Sequence, residues 1–377
     1  MAREVTFEFS AFPTEGLRHG QLAPVPRRAG VFRIFDPNGN LILLEKTHNL
    51  AARLNRFYAE TPRPGALDLR EIGERVEFCA TDSPFESLYL LYLERRRWFP
   101  SSYRRMRTFP LGYLLALDPA PRFPRIDVSR TIRPGIRYFG PFRSRKVAEQ
   151  VRSTIERTFR IRPCEYDIQG NDPYPDCLYF QMRTCSRPCN GDIDRETYGE
   201  DIASAIAWIL EDDGGAIAPL LARIGSLAGE MRFEEAEQIR LQVERVRTAR
   251  AHIDGPIFEV GRFDHLAVLR SGSARTRKIA VIRSGRIARL EEHAVGDIAD
   301  TLESSLAQRD AALRPGVDDF VYDEFCLAAG FLSRPLRSVR FFPLTSPPAT
   351  AREVARELHS GPGDASPEAG PTSVPPV

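Results

Sequence analysis

At 377 residues, with 42% apolar and 28% charged side chains, the chain is sized for two or three packed modules rather than one. No run approaches the roughly eighteen uninterrupted apolar residues of a membrane span, and the opening MAREVTFEFSAFP lacks the basic, apolar and small-residue succession of a secretory leader, so a cytoplasmic chain with no membrane partner is expected. The net charge of +2 conceals an uneven distribution: residues 120–162 hold twelve basic residues against Asp127, Glu149 and Glu156, a local +9.

Residues 1–26 read as an N-terminal extension, a lead-in strand and a Pro-rich loop. GVFRIFDPNGNLILLEK is a hairpin in which two apolar runs bracket Asp36-Pro37-Asn38-Gly39, strong turn chemistry. Asn49 is placed to cap a helix that carries Leu50, Leu54 and Phe57 on one face, GERVEFCAT adds a strand, and SPFESLYLLYLERRRWF a helix with Ser83 as cap and Pro84 at its first position. Residues 27–107 are thus predicted to form a small α/β sandwich.

Residues 108–215 form a basic linker and a four-cysteine module: YFGPF leads into the helix SRKVAEQVRSTIERTF, then the cysteines, then a helix with Tyr198, Ile202, Ile206 and Ile209 in one stripe. Residues 216–254 read as a helical hairpin, with Leu220, Ile224, Leu227 and Met231 striping one helix and Ala236, Ile239, Val243 and Val246 the other. Two helices cannot bury both stripes, so a partner is predicted. Residues 255–345 read as an α+β unit, a three-stranded meander, a helix over 297–310 and a last strand in RSVRFFPL; the Pro-, Ala-, Ser- and Gly-rich residues 346–377 read as a disordered tail. The predicted fold class is therefore multidomain, α/β and α+β.

Basic residues interleaved with aromatic ones favour nucleic acid, because cations meet phosphates and ring faces meet bases. Only Lys46, Lys146 and Lys278 of the fifty-three basic residues are lysine, and arginine is the better bidentate phosphate ligand. The helix end ERRRWF with SSYRRMR, and the RSRK before the next helix, supply Arg95, Arg96, Arg97, Arg104, Arg105, Arg143, Arg145 and Lys146 as the DNA-contacting candidates.

Cys164, Cys177, Cys185 and Cys189 are separated by twelve, seven and three residues. In a reducing compartment such a group points to metal or redox chemistry rather than disulfides. Spacing leaves tetrahedral zinc, an iron-sulfur cluster and unligated buried thiols open, with zinc favoured. Cys79 and Cys326 stand apart and read as structural.

Taken in order, YFGPF, the helix after it, Cys164, CLYFQMRTCSRPC and the hairpin sequence MRFEEAEQIR make residues 27–253 resemble the UvrC excinuclease family. The resemblance implies that the four cysteines bind a 4Fe-4S cluster, with zinc the alternative. It implies a hairpin similar to the family's UVR motif, docking UvrB through Leu227, Met231, Phe233, Ala236, Ile239 and Arg240. It also implies a GIY-YIG nuclease shape for residues 27–107, and here the chain departs from the family. The first motif tyrosine falls on Phe32, the second motif on Leu43, Leu44 and Glu45, and, with Glu86 as the first motif glutamate, the metal-binding glutamate falls on Leu91. A hydroxyl for proton transfer and a hard oxygen for a divalent metal are both missing. Lys46 and Arg53 match the family's basic residues.

The expectation is a catalytically degenerate, UvrC-like DNA-binding scaffold of nucleotide excision repair that docks UvrB. One alternative is a single-incision endonuclease using Mg or Mn held by Glu94 or Glu45, and another a redox-sensing DNA-binding regulator. No RNase H-like centre is expected in residues 258–345, where Asp318, Asp319, Asp323 and Glu324 cluster in one stretch.

Overall fold

A computed structural model describes residues 3–4, 6–13, 25–59, 68–166, 168, 177–210, 217–251, 253, 255–309, 318–333, 336, 338–344 and 346–359. Strands β1 (Arg3–Glu4) and β2 (Ser10–Pro13) precede the hairpin of β3 (Gly30–Phe35) and β4 (Leu41–Thr47). Asp36 closes that hairpin, its Oδ1 accepting the N–H groups of Asn38 at 2.9 Å and Asn40 at 2.7 Å, while Gly39 takes the left-handed φ of 82° that a side chain would oppose. Helix α1 (Leu50–Ala59) is capped by Asn49, which accepts from the Ala52 N–H at 3.0 Å. The single turn α2 (Leu69–Ile72), β5 (Arg75–Ala80) and α3 (Pro84–Trp98) follow, and Ser83 Oγ caps α3 by accepting from the Glu86 N–H at 3.2 Å. The antiparallel order is β2-β5-β3-β4, so β3 is central and all six of its residues are buried. A Cβ on Gly30 would collide with the Cys79 carbonyl and Leu50, which is why the strand opens on glycine.

A second antiparallel sheet contains β6 (Tyr113–Leu117), β7 (Ile126–Ser129) and β8 (Arg137–Phe142). After it come α4 (Arg145–Thr158), the short α5 (Leu178–Gln181), α6 (Arg195–Leu210) and the hairpin of α7 (Ala218–Gly229) and α8 (Phe233–Ala251). The chain then returns to this sheet through β9 (Phe258–Glu259), giving the order β7-β6-β8-β9. Val151 and Ile155 of α4, Tyr198, Ile202 and Ile209 of α6 and Val246 of α8 share one core with Leu115, Leu117 and Phe139.

The third sheet, β1-β12-β11-β10-β13, holds β10 (His265–Arg270), β11 (Thr276–Arg283), β12 (Arg286–Ala294) and β13 (Val339–Pro343). Helix α9 (Ile298–Arg309) packs on one face and α10 (Asp319–Ser333) on the other. Two expectations change here. Residues 1–26 are more than a lead-in, because β1 pairs with β12 of the third sheet and β2 with β5 of the first. Residues 346–377 are not all a tail, because Pro347–His359 form helix α11, whose fully buried Ala351 and Val354 join Leu302, Leu306 and Phe342. A few apolar residues suffice to anchor that helix, and the proline-rich remainder of the segment hid them in the average composition. Residues 360–377 lie outside the described residues.

Helix α10 packs against α3, the second sheet and the third sheet. Val321, Tyr322, Phe325 and Ala328 pack with Phe85 of α3, Leu114 and Tyr138 of the second sheet, and Ala280 and Leu290 of the third. Among the described residues no helix is long and apolar enough to cross a membrane.

One carboxyl works against this packing. Glu156 of α4 is buried, its Oε1 has no hydrogen-bond partner, and the Arg152 guanidinium stands 3.6 Å away, an ion-pair distance too long for a hydrogen bond. Burial pushes its pKa from 4.5 up to about 7, against the pull of Arg152. The folded state therefore binds this proton more tightly than the unfolded state, and the charge carried above pH 7 opposes folding. Glu156→Gln is expected to stabilise the protein by about 2 kcal/mol at pH 8 and to be neutral near pH 4, as read from urea unfolding at the two pH values. Equal effects at both would contradict this account.

Candidate functional site

Four segments frame the cysteine loop. Helix α4 ends at Thr158, and Arg160 then turns left-handed at φ 53° before Arg162 and Cys164. Arg162 is 4% exposed: its Nε donates to the Phe123 carbonyl at 2.7 Å, and its Nη1 to the carbonyls of Cys164 at 3.0 Å and Tyr166 at 2.7 Å, with Cys164 Sγ 3.7 Å away. Its backbone N–H donates to Tyr198 Oη at 3.2 Å, and Tyr198 donates onward to the Pro124 carbonyl at 2.8 Å. Cys177 opens α5, after which Arg183 and Arg187 are left-handed, both at φ 57°. The Ser186 N–H reaches back to the Arg160 carbonyl at 2.9 Å, and the Arg187 N–H donates to Cys185 Sγ at 3.4 Å. Arg187 also pairs with Asp192 at 2.7 Å and stacks 4.0 Å from the Phe180 ring centre. Of the five non-glycine residues with positive φ among the described residues, three lie in this loop. Each costs on the order of 1 kcal/mol, so the loop is held against its own preference by its contacts.

All four thiols are free, Cys185 and Cys189 buried and Cys164 and Cys177 half-buried. Burial is the main cause that pushes the Cys185 thiol up to about 11, and the charges of Cys164, Cys177 and Cys189 push the same way. The Tyr166 phenol, raised chiefly by burial, is hydrogen-bonded to both Cys189 and Cys164. As the side chains stand, no three His, Cys, Asp or Glu groups among the described residues are set to hold a metal ion. The donor set, four unpaired thiols with N–H donors to two of the sulfurs, does suit a four-thiolate group. Cys79 and Cys326 are buried elsewhere, and burial pushes their thiols to about 11 and about 12.

In the first module the departures from nuclease chemistry are core residues. Phe32 is fully buried against Phe57, Leu91 packs with Val31, Leu44, Cys79 and Leu90, and Leu43 is half-buried against the cluster around Phe32. The substitute carboxylates are occupied. Glu94, 7% exposed, accepts from Arg33 and from Trp98 Nε1 at 3.1 Å, and Arg33 also binds Glu77 at 2.6 Å. Glu45 pairs with Arg53 at 2.9 Å, and Glu86 binds Lys278 of the third sheet at 2.6 Å. Lys46 is exposed on the rim of a small pocket lined by Thr47, His48, Asp82 and Ser83.

The expected DNA contacts divide into two sets. Arg95 donates to the Met106 carbonyl, and burial lowers its pKa. Arg96 reaches Glu324 at 3.4 Å and lies 3.5 Å from the Phe320 ring centre, while Arg104 pairs with Asp319. Arg96 and Arg107, which binds Asp323 at 3.0 Å, hold α10 in place, whereas the Arg104–Asp319 pair is exposed at both ends. The acidic cluster that looked like a loop-to-helix stretch is their counterpart. Arg97, Arg105, Arg143 and Lys146 are exposed, and exposed Arg145 pairs with Glu149 at 2.7 Å in its own helix.

The hairpin divides similarly. Leu227 and Ala236 are buried with Val243 and Val246, so they are corrected from partner-facing to packing positions; Ile239 is half-buried and Arg240 pairs with Glu237 at 2.7 Å. Met231 at 75% and Phe233 at 60% remain exposed, along with Leu221 and Leu241.

The family model for the UvrC/Cho excinuclease middle domain matches residues 113–208, from β6 to the last turn of α6. The chain is UvrC-like. It is similar to the UvrABC system protein C of Methylococcus capsulatus, 30% identical over 70% of this chain and 43% of the relative. The same protein of Aromatoleum aromaticum is 30% identical over 70% and 44%, and that of Alkalilimnicola ehrlichii 28% over 69% and 43%. The chain thus spans less than half the length of these relatives. No solved structure matches it.

Several residues that shape this UvrC-like site carried no obvious signal. Arg162 and Tyr166 flank Cys164 at two residues on either side, a spacing that could have marked them as supports for a ligand. Arg33 was hidden in an otherwise apolar strand, where a lone cation calls for a buried acid. Because Glu94 answers that need, Glu94→Ala is expected to leave Arg33 short of a counter-charge and to destabilise the protein by about 3 kcal/mol in urea unfolding. A neutral result would show the network to be dispensable.

Proposed function

We propose that this UvrC-like chain is a DNA-binding scaffold of nucleotide excision repair that docks UvrB and whose nuclease-shaped module does not hydrolyse DNA. The observation that carries this reading is the burial of Phe32 and Leu91, apolar groups where a hydroxyl and a metal-binding carboxylate would act, with Glu45 and Glu94 already committed to Arg53 and Arg33. DNA would lie against Arg97, Arg105, Arg143 and Lys146, all exposed. UvrB would meet the hairpin through Met231, Phe233, Leu221 and Leu241, apolar side chains exposed on adjoining helices.

Cys164, Cys177, Cys185 and Cys189 would hold a 4Fe-4S cluster, or zinc as the alternative, and Tyr166 would have to release Cys164 and Cys189 for it. Bound there, the group would supply metal–thiolate bonds that tie the end of α4 to the segment before α6.

Anaerobic purification followed by iron, sulfide and zinc analysis, with a nicking assay in magnesium or manganese on the same sample, tests both halves. About four irons and four sulfides per chain and no nicking are expected. One zinc without sulfide would replace the cluster, and nicking that falls on Arg53→Ala would overturn the non-hydrolytic reading. In DNA titrations, Arg105→Glu and Lys146→Glu should each weaken binding and lower the salt slope by about 1, whereas Arg96→Gln should act on stability instead.

A further inference from the structure

Arg162 is a buried cation without a buried anion. It is 4% exposed, and among the described residues no carboxylate stands at ion-pair distance from it. Three backbone carbonyls take its side-chain hydrogen bonds, and Cys164 Sγ lies 3.7 Å from Nη1. A guanidinium so far from water is unfavourable unless a negative charge compensates it, and carbonyl dipoles supply only part of that compensation. The fork cannot swing away, because Nε is fixed to the Phe123 carbonyl of the loop before β7, and the backbone N–H of the same residue is fixed to Tyr198 of α6.

Resting on the reading of the four cysteines as the ligands of a metal–thiolate group, we infer that Arg162 is the positioning residue that complements the Cys164 thiolate in the loaded site and sets how readily that group accepts an electron. A fixed cation and an N–H donor beside a ligating sulfur stabilise the more negative, reduced state. No other described side-chain cation donates to a cysteine sulfur. The backbone N–H of Arg187 also donates to Cys185, and a substitution of the Arg162 side chain leaves that bond in place.

The test uses the full chain, purified anaerobically, as wild type, Arg162→Gln and Arg162→Lys. Redox titration followed by absorbance and electron paramagnetic resonance reads the ratio of reduced to oxidised cluster at a fixed potential. Arg162→Gln is expected to lower that ratio about tenfold, a shift of about 59 mV for one electron. Arg162→Lys, which keeps the charge and loses the fork, should fall between the two. A purely structural role would lower thermal stability in both variants and leave the ratio unchanged. A ratio within twofold of wild type in a fully loaded Arg162→Gln protein overturns the inference, as does an equal shift in Arg162→Lys. If Arg162→Gln does not fold, an Arg162→Lys ratio equal to wild type overturns it. A wild-type chain that binds zinc or nothing overturns the underlying reading and the inference with it, and the metal analysis identifies that case before any variant is compared.

Discussion

Asp323 and Glu324 are 1% and 2% exposed, and how those two buried carboxylates are satisfied constrains where α10 sits against α3 and the segment that follows it. Asp323 receives Arg107 at 3.0 Å and the Tyr103 hydroxyl at 3.2 Å; Glu324 receives Arg96 at 3.4 Å and the Ile287 N–H at 2.8 Å. Arginines from the segment between the first and second sheets are thereby fastened to a helix of the third. Such pairs contribute little net stability against an apolar alternative, but an unpaired buried carboxylate is so unfavourable that they fix the register. The apolar side of α10 then supplies the burial, packing against α3 and residues of the second and third sheets. Lys278, held by Asp82 at 2.8 Å and Glu86 at 2.6 Å, makes a second attachment between the third sheet and α3.

That constraint also decides which arginines are left for phosphates. A cation inside an ion pair must exchange one anion for another to bind DNA, whereas an exposed cation releases only counterions. On the proposed reading the basic face comprises Arg97 at the end of α3, Arg105 and the cations at the start of α4. The cysteine loop is held on the same principle of fixed ends: α4 and α6 bury their apolar stripes in one core, so Arg160 and Asp194, which caps α6 through the Thr197 N–H at 2.7 Å, are placed before the loop contributes anything. Helix packing thus fixes both ends of the loop, and Arg160, Arg183 and Arg187 turn left-handed between them.

Local features were legible in the sequence because their causes are local. Asn49, Ser83 and the Asp36 turn act within four residues of themselves, and the structure shows each doing so. The stripe of α6 was equally plain, since Tyr198, Ile202, Ile206 and Ile209 all lie on its buried face, with Ala205 and Trp208 beside them. The destinations of Arg96 and Lys278 were not legible, because their partners lie 228 and 192 residues away and nothing nearby distinguishes a committed arginine from a free one. Leu227 and Ala236 failed for a related reason. A helical stripe shows which residues share a face, and only the packing of α7 on α8 shows which part of that face the hairpin covers itself.

The same packing bears on the proposal that the first module does not hydrolyse DNA. Phe32 and Leu91 are not gaps in a site; each fills a core position, and burial of such side chains is worth about 2 to 3 kcal/mol apiece. Restoring a carboxylate at Leu91 would place a charge among Val31, Leu44, Cys79 and Leu90, with no described cation beside it to compensate. Arg33 is near, but Glu77 and Glu94 already neutralise it. A return to metal binding would therefore require the Arg33 network to be rebuilt at the same time as the ligand is introduced. On the proposed reading fold and chemistry are separable in this module: Phe32 and Leu91 serve a core, while the cations near α4 and the apolar side chains at the turn of the hairpin are among the groups that face outward.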